Sequence, residues 1–189
     1  MGLNVVERIE YSMPFANSPG YWSWLSEQVN ELLERNEIPA KSVLGIGISF
    51  PGIVSSIGDS LEFAPTLDVD EIEFSRVKPY FSYDLVFGND ATLAAKAESW
   101  FKPTATKSVY LLLNRGVGGA FIGEENGLFG SRSGEFGHMV IKEDGKLCSC
   151  GRRGCFETYC SSSVLVDESG KEDLDEFFKA LDAGDENCQ

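Results

Sequence analysis

One stretch limits what this chain can fold into more than any other: HMVIKEDGKLCSCGRRGC, from His138 to Cys155. Its spacing, H-x9-C-x-C-x4-C, gathers one imidazole and three thiols, the donor set of a closed tetrahedral zinc site with no position left for water. His138, Cys148, Cys150 and Cys155 are therefore the expected metal ligands, and the expected metal is structural zinc. Gly151 and Gly154 fall where the backbone must double back to bring the sulfurs within about 2.3 Å of one ion. Disulfides or plain buried thiols are the competing readings. They leave unexplained why the single histidine and three of the five cysteines lie so close together. A metal clip suits a reducing compartment, in which Cys160 and Cys188 would remain free thiols.

Composition narrows the possibilities further. The 189 residues carry 42% hydrophobic and 12% aromatic side chains, enough for a sizeable core in one domain or two small lobes. Sixteen basic residues against thirty acidic ones give a net charge of −14, which repels phosphate backbones. No direct grip on nucleic acid is expected from this chain. It has neither an apolar run of membrane-spanning length nor a secretory leader pattern, so a cytoplasmic location is expected.

Periodicity predicts an α/β protein. A strand is expected over residues 3–10, then a loop, then a helix opening at Ser18-Pro19 with Ser18 or Asn17 as cap and Trp22, Leu25, Val29, Leu32 and Leu33 on its apolar face. Residues 43–50 read as a buried parallel strand, and residues 53–84 as irregular, with Pro65 and Pro79 as breakers and Asp68 to Glu73 as a solvated face. Residues 85–88 read as another buried strand. Asn89-Asp90 then opens a helix whose inner face is expected to be Leu93, Ala94, Ala97, Trp100 and Phe101. Such strand-to-helix junctions are where open α/β sheets collect ligands. A hairpin is expected from 108–114 and 120–123 around Gly116, Gly118 and Gly119. The turn region 126–134 leads on to the metal loop. A helix is expected after Cys155. The acidic tail carries a helical face of Leu174, Phe177, Phe178 and Leu181.

The segments GISFPGIV, GNDATLAAKAE, GEFGHMV and CSCGRRGCFE, in this order over roughly residues 43–165, resemble the ROK family of bacterial sugar kinases and sugar-responsive transcriptional regulators. The resemblance implies an actin-like, ribonuclease-H-like ATPase fold of two α/β lobes around a cleft, incomplete at both ends here. On this reading residues 1–103 belong to the first lobe and 104–189 to the second, which carries the zinc loop and the acidic tail. The resemblance also implies a sugar ligand held by Asn89, Asp90, Glu135, His138 and Glu157. The chemistry of these side chains agrees, because sugar hydroxyls both donate and accept and so need carboxylates, an amide and a fixed imidazole. In a kinase, Asp90 would be the general base and ATP with Mg the cofactors.

Two departures set the chain apart from the kinases. The family's early phosphate loop, Asp-x-Gly-Gly-Thr, does not occur, and where the second reads Gly-Thr-Gly this chain has Gly116, Val117 and Gly118. Gly116, Gly118 and Gly119 are thus either nucleotide contacts or a hairpin turn needing positive φ. The chain alone is expected not to transfer phosphate. The expectation is the effector-binding portion of a ROK regulator for a hexose or N-acetylhexosamine, with DNA contacted through an N-terminal domain not in this sequence and a homodimer as the assembly. The alternative is a fragment of a ROK sugar kinase of glucokinase or N-acetylmannosamine kinase type.

Overall fold

Pro19 has no backbone N–H to leave unpaired, and helix α1 (Pro19–Arg35) begins on it. The Ser18 hydroxyl caps the helix by accepting from the Tyr21 amide at 3.3 Å. Asn17 does a different job, taking the Trp22 indole N–H at 3.1 Å. This computed structural model describes residues 4–55, 57–101, 108–122 and 132–188. Expectations above touch positions outside that set at Leu3, at Ser56, at Gly123 and in most of the turn region, residues 126–131. The chain divides into two units, Met1–Gly88 and Asn89–Gln189.

In the first unit, residues 4–10 form no strand, contrary to expectation. Val5 and Val6 stay exposed, and no neighbouring edge takes up their backbone groups in a ladder. The segment is instead clamped to the end of α1, where Glu7 accepts from Arg35 at 2.7 Å and from Asn36 at 2.5 Å. Strand β1 (Ile46–Phe50) is shorter than expected and alternates between half-buried and exposed positions rather than being buried throughout. The segment expected to be irregular contains β2 (Ile53–Val54), β3 (Ser60–Phe63) and β4 (Ile72–Glu73), joined as an antiparallel sheet in the order β2-β3-β4. Leu61 and Ile72 face each other across it and are almost fully buried, while Asp68, Asp70, Glu71 and Glu73 are exposed as expected. Two-residue strands hold too few side chains for period-2 alternation to reveal them. Helix α2 (Phe74–Val77) follows, and β5 (Leu85–Asn89) pairs with β1. The core gathers Trp22, Phe50, Leu61, Phe74, Val77 and Phe87, with the Phe74 and Phe87 rings stacked 3.9 Å apart.

The second unit begins with helix α3 (Asp90–Phe101) and a sheet of β6 (Ser108–Leu113), β7 (Val117–Ile122) and β8 (Arg132–Gly134) in the order β6-β7-β8. The expected hairpin is formed, with Leu113 opposite Val117, so the turn is confined to residues 114–116. Helix α3 does not bury the face its larger residues suggested: Ala91 and Ala95 are buried, whereas Trp100 is 83% exposed. The reason lies on β7. A Cβ on Gly118 would sit 2.9 Å from that of Ala91, so glycine and alanine together let helix and strand come close. Gly118→Val should therefore overpack this contact and cost about 1–3 kcal/mol. Thermal unfolding followed by circular dichroism checks this, and wild-type stability would show that the approach is not tight. Helices α4 (Glu157–Cys160), α5 (Ser162–Ser169) and α6 (Leu174–Asp182) complete the unit, α6 burying Phe177 but leaving Phe178 exposed. Among the described residues no helix is long and apolar enough to cross a membrane.

Candidate functional site

The metal loop is built by backbone hydrogen bonds before any metal is considered. Leu147 bridges Arg153, and Val140 bridges Cys155. The Cys148 amide donates to the Arg152 carbonyl at 2.8 Å, and the Gly154 amide to the Lys146 carbonyl at 2.8 Å. Gly151 and Gly154 adopt φ of 83° and 77°, the left-handed conformation that the doubling back required. At Gly154 a side chain is excluded outright, because a Cβ would lie 1.6 Å from the Lys142 carbonyl oxygen. Tyr159, which carries no motif signal of its own, braces the loop from α4 by accepting from the Lys146 amide at 3.0 Å.

This scaffold brings His138, Cys148, Cys150 and Cys155 together, one donor atom from each lying within 4.8 Å of all the others. Cys150 and Cys155 sulfurs are 3.7 Å apart. Two thiolates bound tetrahedrally at about 2.3 Å are separated by about 3.8 Å. The Cys148 sulfur lies 3.5 Å from His138 Nδ1, against about 3.6 Å for a tetrahedral sulfur-to-nitrogen edge. The donor set thus fits a closed zinc site in identity, and these two edges have the length such a site needs. Burial pushes the Cys148 thiol up to about 12 and raises Cys155 as well. Burial also opposes ionisation of Cys150, but the Arg152 amide and guanidinium and the two neighbouring thiols outweigh it and bring Cys150 down to about 6. One thiolate is therefore ready to meet a cation, and the cation itself would ionise the other two.

The carboxylates expected around His138 are there. Nε2 of the ring lies 3.8 Å from Glu135 and Nδ1 lies 3.5 Å from Glu157. Glu157 opens α4 and accepts from the Cys148 thiol at 3.0 Å, so it abuts the metal donors directly, which spacing alone did not suggest. Asn89 and Asp90 stand at the start of α3. Asn89 is the helix cap, its Oδ1 accepting from the Thr92 amide at 2.9 Å, while Asp90 accepts from the Ala91 amide at 2.8 Å. Cap duty at this junction thus belongs to Asn89 rather than to Asp90. All five residues belong to the second unit, the first turn of α3 lying against Gly118 and Glu157 lying against Gly116 and Gly137.

Gly116, Gly118 and Gly119 do not have positive φ, which corrects the turn reading. Gly118 and Gly119 are strand residues, and close approach explains them: Ala91 leaves no room beside the first, and the Phe136 ring none beside the second. Val117, between Gly116 and Gly118, is buried at 7% exposure.

A profile of the ROK family matches residues 7–189. The xylose repressor of Caldicellulosiruptor bescii is 34% identical over 131 residues, covering 67% of this chain and 33% of the repressor. A ROK family glucokinase from Streptomyces griseus, crystallised with glucose and AMPPNP, has the same fold with a TM-score of 0.69 at 25% identity. That match covers 86% of this chain and 62% of the glucokinase. A ROK family transcriptional regulator, a homolog of the E. coli MLC protein, gives a TM-score of 0.70 at 23% identity, over 88% of this chain and 47% of the regulator. The chain spans a third of the repressor's length and less than two thirds of either solved structure.

Proposed function

This chain belongs to the ROK family, and on that premise we propose that it is the sugar-sensing portion of a transcriptional regulator whose ligand site is ordered by zinc. The observation that carries the reading is the placement of His138 within the thiol cluster, with Nδ1 3.5 Å from the Cys148 sulfur and Nε2 3.8 Å from Glu135. His138, Cys148, Cys150 and Cys155 would hold the ion, which supplies no reaction step, only a fixed loop and a fixed tautomer. With Nδ1 on the metal, Nε2 carries the proton and donates to a sugar hydroxyl. Glu135 and Glu157 accept from hydroxyls, and Asn89 with Asp90 completes the set at the head of α3. The sugar is a hexose or N-acetylhexosamine, with xylose added to the candidates by the repressor relative. Contact with DNA is then the task of a segment outside these 189 residues, and a homodimer is the assembly in which two such sensors would act.

Similarity to a glucokinase crystallised with glucose and AMPPNP favours a second reading, a portion of a sugar kinase. There Asp90 would take the proton of the attacking hydroxyl, and ATP with Mg would bind near Gly116, Gly118 and Gly119. Against it stand Val117, buried where a phosphate-binding hydroxyl would be needed, and Gly118 and Gly119, both accounted for by packing. Phosphoryl transfer lives on positioned charge, so without that cradle the chain should bind sugar but not turn over ATP. Calorimetry with xylose, glucose and N-acetylmannosamine, beside a coupled assay for ADP, tests this. Sugar-dependent ADP production above that of Asp90→Asn would establish the kinase reading instead.

A further inference from the structure

Phe136 belongs to none of the constellations above, yet its ring fills a tight slot in the second unit. Gly119 of β7 and Gly134 of β8 are register partners, and between them they leave a notch with no side chain on either wall. A methyl group on Gly119 would lie 2.2 Å from the Phe136 ring, and one on Gly134 would lie 2.3 Å from it. Both are far inside van der Waals contact. Phe121 packs against the same ring, with centroids 5.0 Å apart. Gly134 does not have positive φ, so its missing side chain serves the ring and not the path of the backbone.

The ring anchors the short 3-10 turn Phe136–His138, which follows Glu135 directly and ends on the imidazole. The turn is closed by the His138 amide on the Glu135 carbonyl at 3.0 Å and the Met139 amide on the Phe136 carbonyl at 3.1 Å. Such turns hydrogen-bond with poor geometry and persist only where packing holds them. Here packing comes from both sides of the chain, the ring in its notch and Gly137 pressed so close to β7 that a Cβ would meet the Val117 carbonyl oxygen at 2.1 Å.

We propose that Phe136 is a positioning residue: seated in the Gly119–Gly134 notch, it sets the turn that aims Glu135 and His138, and through His138 it sets the metal donors. The step from turn to metal rests on the functional reading above. The step from ring to turn does not.

The test is a double-mutant cycle on the full chain with Phe136→Ala, Gly134→Ala and both together, read by hydrogen exchange and by titration with cobalt(II) alone. Each single variant should weaken protection of the His138 and Met139 amides by about 10-fold or more while the β6–β7 ladder keeps its own. Cobalt(II) affinity should fall by about 10-fold, with a weakened absorption band from tetrahedral sulfur and nitrogen coordination. The double variant should be no worse than Phe136→Ala, since the three atoms nearest a methyl on Gly134 all belong to the ring that has been removed. Phe136→Leu, which refills much of the notch, should recover most of both signals. Additive losses in the double variant, unchanged protection of the two turn amides, or loosened amides with full cobalt(II) affinity would each overturn the proposal. A wild-type protein that takes up no cobalt(II) would refute the functional reading, and the amide cycle would still decide whether Phe136 sets the turn.

Discussion

Purified without chelators, the protein is expected to carry about one zinc ion per chain, and Cys155→Ser should abolish that content and loosen the whole segment from His138 to Glu157. The expectation rests on four donors already gathered within 4.8 Å, two of them, Cys148 and Cys155, buried. Structural zinc binds with an apparent free energy of about 10–16 kcal/mol in small domains, and much of it is folding free energy of the segment that supplies the ligands. If only about 3 kcal/mol of that reaches global stability, the melting temperature of a chain this size falls by about 6–12 °C. Metal analysis and thermal unfolding of the wild type and the variant decide the matter. Less than about half an equivalent of zinc in the wild type, or unchanged zinc in Cys155→Ser, would sink the assignment. The Leu147–Arg153 bridge is the place to look for the local consequence, because it closes the turn that carries Cys148, Cys150 and Gly151.

If the proposed zinc orders the sugar site, sugar affinity should fall by about 10- to 100-fold when the metal is lost, without any contact between metal and sugar. On the proposed reading His138 belongs to both arrangements, and Glu157 sits 3.0 Å from the Cys148 sulfur and 3.5 Å from His138 Nδ1. Removing such an ion would free the imidazole to change tautomer and rotate, and would leave Glu157 beside a protonated Cys148. The variant for this test is Cys150→Ser. Cys148 would be a poor choice, since its thiol contacts Glu157 directly and a change there would alter the pocket by itself. Calorimetry with whichever of xylose, glucose and N-acetylmannosamine binds the wild type, repeated on a Cys150→Ser protein shown by circular dichroism to be folded, gives the answer. Equal affinities would reduce the metal loop to a staple and separate it from sensing.

The histidine-cysteine cluster was legible in the sequence because ligand spacing is a local property: one histidine, three cysteines and two glycines at positions where a tight reversal demands them. The start of α1 was equally plain, since a cap and a proline act within one turn. The opening of α3 at Asn89-Asp90 was located for the same reason. What the sequence could not determine depended on neighbours far along the chain. Gly118 and Gly119 looked like a phosphate loop or a turn until Ala91 and Phe136 were found filling the space beside them. Helix α3 was assigned the wrong inner face because its largest apolar residues were taken as the buried ones. The close approach of β7 selected Ala91 and Ala95 instead. Residues 4–10 had the pattern of a strand but no edge to pair with, and the two-residue strands at 53–54 and 72–73 had an edge but no pattern. Spacing and capping are fixed by bonds a few residues long. Which face is buried, and what a glycine makes room for, is fixed by whichever element packs against it, and that only the tertiary structure decides.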